Sequence, residues 1–235
     1  MSGLQPVYLL AGGRPRNAQT FNPLLQAVLK ESGKEHPTIA YVGAASDENK
    51  AFYLMMAAML KGAGAGKIRH AVLAPAKADV KKAREILETS DIVYISGGDV
   101  EHGMQVVQEK NIADYLVGLY KQGKPFFGVS AGSIMLAKEW IRWRDPDDDA
   151  TAEIFPCLGI APVICDTHGE ADGWEELQAL MALEKDGTIG CGIVSGTAIK
   201  VFPDGKIEAF GGAIHQYTKR NGKVERIADI VPQIG

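Results

Sequence analysis

The chain is poor in cysteine and has no long apolar run. Its three cysteines, Cys157, Cys165 and Cys191, are odd in number and widely spaced. That excludes a disulfide-stapled scaffold and points to reduced thiols in a cytoplasmic compartment. No stretch reaches the roughly eighteen apolar residues that a membrane-crossing helix requires, so no membrane partner is expected. Basic charge is not in excess either. A net charge of -4 gives no electrostatic footing for nucleic acid, which needs Lys and Arg clustered on one face. The densest basic run, KADVKKAR (77–84), has helical spacing and reads as a solvated helix face. The opening MSGLQPVYLLAGG lacks a basic n-region and a small-residue cleavage pattern, so it reads as a first strand and not a signal peptide. Internal repeats and low-complexity segments are absent.

What is present fits one α/β domain over residues 1–235. VYLLAG (7–12), TIAYVGA (38–44), IRHAVLA (68–74), DIVYISG (91–97) and PFFGVS (125–130) are short and several are nearly continuously apolar, as strands covered on both faces are. Helical patterns alternate with them, which predicts a mostly parallel sheet wrapped on both sides. Asn22-Pro23 suits the start of a helix over LLQAVLKES, and Asn111 suits the start of the helix carrying Ile112, Leu116 and Leu119, with Gly123 at its end. Met55, Met56 and Met59 in LMMAAML read as core packing. After residue 145 come a polar loop, DPDDDATAE, and a helix, WEELQALMALEKDG, closed by Gly187. Hairpins follow, with a turn at Pro203-Asp204-Gly205.

One turn carries a chemical signature. GVSAGS (128–133) sets Ser130 between glycines where an apolar strand ends and SIMLAKEW begins, the strand–turn–helix setting of a nucleophile elbow. A serine hydroxyl attacks only when a base takes its proton, so the reading needs a histidine with an acid behind it. His168, after the run IAPVICDT, stands where α/β sheets place their ligands; His215 is the second choice. Asp145, Asp147, Asp148, Asp149 and Glu153 all lie between serine and histidine, and one of them would orient the imidazole. Ala131, at a helix start, and the glycine turn ISGGDVEHG, through Gly98 or Asp99, offer N–H groups for an oxyanion. Asp99 also suits a helix N-cap. Cys165 and His168 form an isolated C-x-x-H without a second ligand pair, so no metal and no cofactor is expected.

SGGD (96–99), GVSAGS and DTHGE (166–170) together resemble the serine peptidase family of dipeptidase E and cyanophycinase. The resemblance runs from AGG near residue 12 to FGGA near residue 213. It implies a class I glutamine amidotransferase-like fold: a three-layer α/β/α sandwich with a mostly parallel central sheet, and serine in place of the amidotransferase cysteine. It makes Ser130 the nucleophile and His168 the base, with Asp145 at the spacing of the dipeptidase acid and Asp148 nearer that of the cyanophycinase glutamate. Gly98 and Ala131 would form the oxyanion hole, with Asp99, Gly169 and Glu170 against substrate. Val100, Gly169, and the pair Val194 and Ser195 depart from the residues that relatives carry. The dipeptidases favour an N-terminal aspartate and need a cation for it. Lys138, Arg142 and Arg144 are sources, yet HGEADGWEE after the histidine is acidic.

The expected function is therefore a cytoplasmic, metal-independent serine peptidase acting on short peptides, with a homodimer as the expected assembly by family resemblance. An esterase on the same elbow and a non-catalytic, ligand-binding module of this fold also fit these residues.

Overall fold

The computed structural model describes residues 3–12 and 18–232, with the side chains of residues 18–22 left out. Gly13 of the AGG step and the Asn22 side chain thus fall outside the described parts. The apolar runs become β1 (Val7–Leu10), β2 (Ile39–Val42), β3 (Ile68–His70), β4 (Ile92–Ile95) and β5 (Phe126–Val129), all mutually parallel. With β10 (Ala198–Val201) and β11 (Ile207–Phe210) added antiparallel, they form a seven-stranded sheet in the order β11-β10-β1-β5-β4-β2-β3.

Alternation along each strand sends every second side chain to the same face. Val7, Leu9, Val93, Ile95 and Phe126 meet α3 (Val80–Thr89), α4 (Val100–Glu109), α5 (Ala113–Lys121) and α6 (Ala131–Leu136) through Leu87, Val107, Leu116 and Ile134. Tyr8, Leu10, Ile92, Tyr94 and Phe127 meet α1 (Ala18–Lys30) and α2 (Lys50–Gly62) through Leu25, Val28, Met56 and Leu60. The result is the three-layer α/β/α sandwich expected of the sequence. No helix among the described residues is long and apolar enough to cross a membrane.

Four local readings are corrected. Helix α1 starts at Ala18, so Pro23 lies inside it and is not its first residue. Asn111 does not cap α5. It takes a left-handed φ of 52° at the end of α4, where its N–H reaches the Gln108 carbonyl and the next N–H, of Ile112, reaches Val107. That is a Schellman ending, and Asn tolerates the left-handed conformation it needs. Met56 is buried, but Met55 and Met59 point outward, 49% and 36% exposed, because α2 covers the sheet with one face only. Helix α7 (Glu175–Leu183) stops before Gly187, which instead turns the chain toward β9 (Ile189–Ile193) and bonds the Lys219 carbonyl.

Two smaller sheets complete the chain. The acidic loop joins an antiparallel hairpin, β6 (Glu139–Trp143) and β7 (Ala152–Pro156), that the sequence pattern leaves undrawn. A four-stranded sheet runs β13 (Lys223–Ile230), β12 (Ile214–Arg220), β9, β8 (Ile164–Thr167), with β8 and β9 parallel. Cys165 and Cys191 face each other across that pair as free thiols, and burial pushes the Cys191 thiol up to about 12.

Trp174 fastens this second sheet to α7. It is 2% exposed and lies flat against β9, where a Cβ on Gly192 would come within 2.8 Å of the indole. Leu177, Leu180 and Met181 pack in the same cluster. Trp174→Ala is expected to cost about 3–5 kcal/mol, the usual range for a buried tryptophan. Urea unfolding would show it as a lower midpoint at unchanged slope; a shift near zero would contradict the packing role.

Candidate active site

Strands β4, β5 and β8 all end at one rim, and the residues after them meet there. Ser130 follows β5 with φ 54° and ψ -127°, a conformation L-residues rarely adopt. Holding it costs about 1–3 kcal/mol, which the surroundings must supply. Its N–H bonds the Leu10 carbonyl at 2.9 Å, its carbonyl accepts the Ser133 N–H at 2.8 Å, and Ser133 Oγ donates to the same Leu10 oxygen at 2.8 Å. Gly128 and Gly132 lie back to back below it. A Cβ on Gly128 would sit 2.4 Å from the Gly132 oxygen, and one on Gly132 would sit 2.0 Å from the Ile95 oxygen. The glycines of GVSAGS thus let α6 start directly against the sheet.

His168 leaves β8 in the same unusual way, with φ 47° and its N–H on the Ile193 carbonyl at 2.9 Å. That geometry delivers Nε2 to 2.8 Å from Ser130 Oγ, a hydrogen-bonded nucleophile–base pair. The glycine turn after β4 closes the third side. Gly98 has φ 145°, and a Cβ there would collide with the Ala45 oxygen at 1.9 Å. Asp99 N–H bonds that oxygen at 2.7 Å, and the Asp99 carboxylate caps α4 through the His102 N–H at 2.7 Å. The N–H groups of Gly98 and Ala131 have no hydrogen-bond partner among the described residues, as donors kept for a ligand require.

The acids anticipated behind the imidazole are not brought to it. Asp145 accepts the Asp147 N–H at 3.1 Å, and Asp148 accepts the Ala150 N–H at 2.9 Å. Both carboxylates are used inside the β6–β7 loop, because short Asx turns satisfy them locally. Among the described residues, no carboxylate forms a hydrogen bond or ion pair with His168, whose partner is Ser130. Glu153 is held by Arg142 and Arg144, and Arg142 also reaches Glu101 on α4 at 3.1 Å. The two arginines are thereby neutralised, and neither they nor Lys138 line the site. His215 packs edge-on against Trp174, ring centres 5.6 Å apart, and has no bond to Ser130.

Ser130 and His168 open into a cavity of about 310 Å³, lined also by Val100, Trp140, Asp166, Asp172 and Glu176. The last three carboxylates were not singled out from the sequence, although the acidic run HGEADGWEE contains two of them. Trp140 Nε1 donates to Glu176 at 3.0 Å, and Asp166 accepts the Thr167 N–H at 2.7 Å. Burial pushes the Asp166 carboxyl up to about 7, with Glu176 and Asp172 adding repulsion. Burial likewise raises Glu176, assisted by Asp172. Glu170 is different. Burial pushes it up, but bonds from Ser195 and the positive influence of His168 hold it below the usual carboxylate range. A larger cavity, about 600 Å³, lies at the amino ends of the strands; it contains no histidine, and its Lys34 and Asp91 pair with each other.

The Asp166 environment has a pH signature. The folded carboxyl holds its proton up to about pH 7, whereas in an unfolded chain it ionises near 4. The folded state binds more protons between these values, so stability falls as pH rises through that window and levels off above it. Asp166→Asn removes the penalty. Its Tm advantage over the native protein is expected to grow from near zero at about pH 4 to a maximum above about pH 7. A difference that does not change with pH in thermal scans would contradict the assignment.

Comparison with known proteins places the fold and the family. A crystal structure of a peptidase from an acI-B1 Actinobacterium superposes with a TM-score of 0.74 at 15% identity, covering 98% of each chain. A putative peptidase E protein from Listeria monocytogenes EGD-e gives 0.63 at 15% identity, over 87% of this chain and 97% of that one. At such identity the two show a shared fold, which is consistent with the class I glutamine amidotransferase-like architecture. No curated protein matches the sequence. The family model for peptidase family S51 matches residues 7–208, which span all the residues converging on Ser130. The chain belongs to peptidase family S51 and is, with that family, a serine peptidase.

Proposed function

We propose that the protein hydrolyses amide bonds of short peptides, with Ser130 as nucleophile and His168 as general base. The observation that carries this reading is the 2.8 Å contact between Ser130 Oγ and His168 Nε2 on a turn strained to expose the hydroxyl. As Oγ attacks the carbonyl carbon, Nε2 takes its proton, and the carbonyl oxygen gains the negative charge that the N–H groups of Gly98 and Ala131 receive. The imidazolium then gives that proton to the leaving amine as the C–N bond breaks. Water, activated by the same nitrogen, adds to the acyl-enzyme and regenerates the serine.

A cavity of about 310 Å³ suits a small peptide better than a folded protein. Val100 and Ile134 give it an apolar side, while Gly169 keeps the wall behind the histidine low. Glu170 and Glu176 both interact electrostatically with His168. A cytoplasmic setting fits the free thiols of Cys157, Cys165 and Cys191.

Ser130→Ala and His168→Ala are each expected to lower kcat by about a thousandfold or more while leaving the thermal transition in place, as loss of a nucleophile or base does. Asp145→Asn and Asp148→Asn are expected to stay within about tenfold of the native rate, since their carboxylates serve only their own loop. The check is amine release from a dipeptide panel by all four variants. Full activity in Ser130→Ala would overturn the nucleophile, and collapse in Asp145→Asn or Asp148→Asn would restore that residue as the third member.

A further inference from the structure

We infer that Glu48 is a positioning residue for the oxyanion hole: its buried carboxylate, acting through the Ala45 carbonyl, sets the turn that aims the Gly98 N–H at the substrate. The inference rests on the peptidase reading of the Ser130–His168 pair and adds to it the group that holds one of the two donors in place.

The Gly98 N–H stabilises a developing oxyanion only if its turn is already rigid when the charge appears. Helix α4 anchors the turn on one side, where the Asp99 carboxylate caps the His102 N–H. From behind, the turn rests on one atom, the Ala45 oxygen. That oxygen accepts the Asp99 N–H at 2.7 Å and lies so close to Gly98 that a Cβ there would be 1.9 Å away. A shift of Ala45 therefore moves the donor.

Ala45 belongs to a single helical turn, Ala44–Ser46, between β2 and α2. The chain leaves that turn through two consecutive left-handed residues, Asp47 at φ 49° and Glu48 at φ 55°. Aspartate tolerates the conformation, but glutamate rarely adopts it, so something must hold Glu48 there. Its own side chain, 6% exposed, supplies the hold. His70 Nε2 donates to Oε2 at 2.5 Å, and the N–H groups of Leu73 and Ala74 donate to Oε1 at 2.8 and 3.2 Å. Gly43 leaves the space for this, since a Cβ there would lie 2.4 Å from Oε2. His70 is fixed in turn, stacked on Tyr53 with ring centres 4.3 Å apart and met edge-on by Tyr41. The Glu48 N–H bonds the Gly43 carbonyl at 3.0 Å, which closes the loop around Ala45. Three donors on one carboxylate thus tie the loop after β2 to the segment after β3. Neither Glu48 nor His70 lines the cavity, so the carboxylate acts on the reaction only through Ala45.

Three variants and a control test this in the full chain. Glu48→Ala removes the carboxylate, whereas Glu48→Gln keeps an oxygen for the Leu73 and Ala74 N–H groups. His70→Phe keeps a ring on Tyr53 but loses the donor, and it carries the test if Glu48→Ala fails to fold. The control, Asp91→Ala, removes bonds to the Thr38 N–H and hydroxyl at the amino end of β4, away from the site. Three quantities are read: kcat and KM on the dipeptide panel, the rate at which a fluorophosphonate captures Ser130, and hydrogen exchange at the Asp99 amide. Glu48→Ala is expected to lower kcat and the capture rate by about tenfold to a hundredfold with KM within about threefold, because a displaced donor is felt in the transition state. Its Asp99 amide should exchange about tenfold faster or more. Glu48→Gln is expected to return all three to within about threefold of native, and His70→Phe to move them in the direction of Glu48→Ala. Asp91→Ala should lower Tm and leave kcat unchanged. Native values in folded Glu48→Ala, or in His70→Phe if only that variant folds, would overturn the inference, as would an equal loss of kcat in Asp91→Ala. A native protein that neither cleaves the peptides nor takes the probe would sink the peptidase reading, while faster Asp99 exchange in Glu48→Ala would still place the clamp on the turn.

Discussion

The site depends on one backbone conformation, that of Ser130. At φ 54° and ψ -127° the residue sits outside the ordinary regions, and three hydrogen bonds around Leu10 and Ser133 hold it there. Those bonds require β1 and β5 to be neighbours in the sheet, and α6 to start hard against the Ile95 carbonyl, which glycine at 132 permits. The core therefore does more than provide stability. Burial of Val7, Leu9, Phe126 and Phe127 fixes the register that points one hydroxyl into the cavity. Ser130 Oγ meets His168 Nε2 only because a second sheet, held through Trp174, sets the end of β8 at the right height.

Much of this was legible in the sequence because the signals were local and mutually consistent. Continuous apolar runs separated by capped helices have few alternative architectures, and GVSAGS after such a run states a strand–turn–helix junction. The Asp99 cap, the Gly123 stop and the Pro203-Asp204-Gly205 turn were readable for the same reason. The errors came where one residue type serves two neighbouring elements. Asn111 offers the same side chain to the end of α4 as to the start of α5, and only the bonds of Ile112 and Val107 decide between them. The β6–β7 hairpin was missed because its strands are only half-buried, which blurs the apolar pattern.

The acids were harder still, since spacing along the chain says nothing about which carboxylate turns inward. Seven lie between the serine and His168, and the structure spends Asp145 and Asp148 on the loop and Glu153 on two arginines. The carboxylates facing the cavity stand around the histidine and on α7, where Asp166 looked like the end of a strand and Glu176 like an ordinary helix start. Their common feature, a place on the wall of one cavity, is a property of the folded surface and has no sequence signature.

The central claim is that Ser130 is activated by His168, and covalent capture tests it most directly. A fluorophosphonate reacts with an activated serine hydroxyl, the oxygen displacing fluoride from phosphorus while the neighbouring base takes the proton. Intact-mass and peptide mapping should find one adduct per chain, on the peptide containing Ser130, and none in His168→Ala under the same exposure. An unmodified protein, or an adduct elsewhere, would contradict the account.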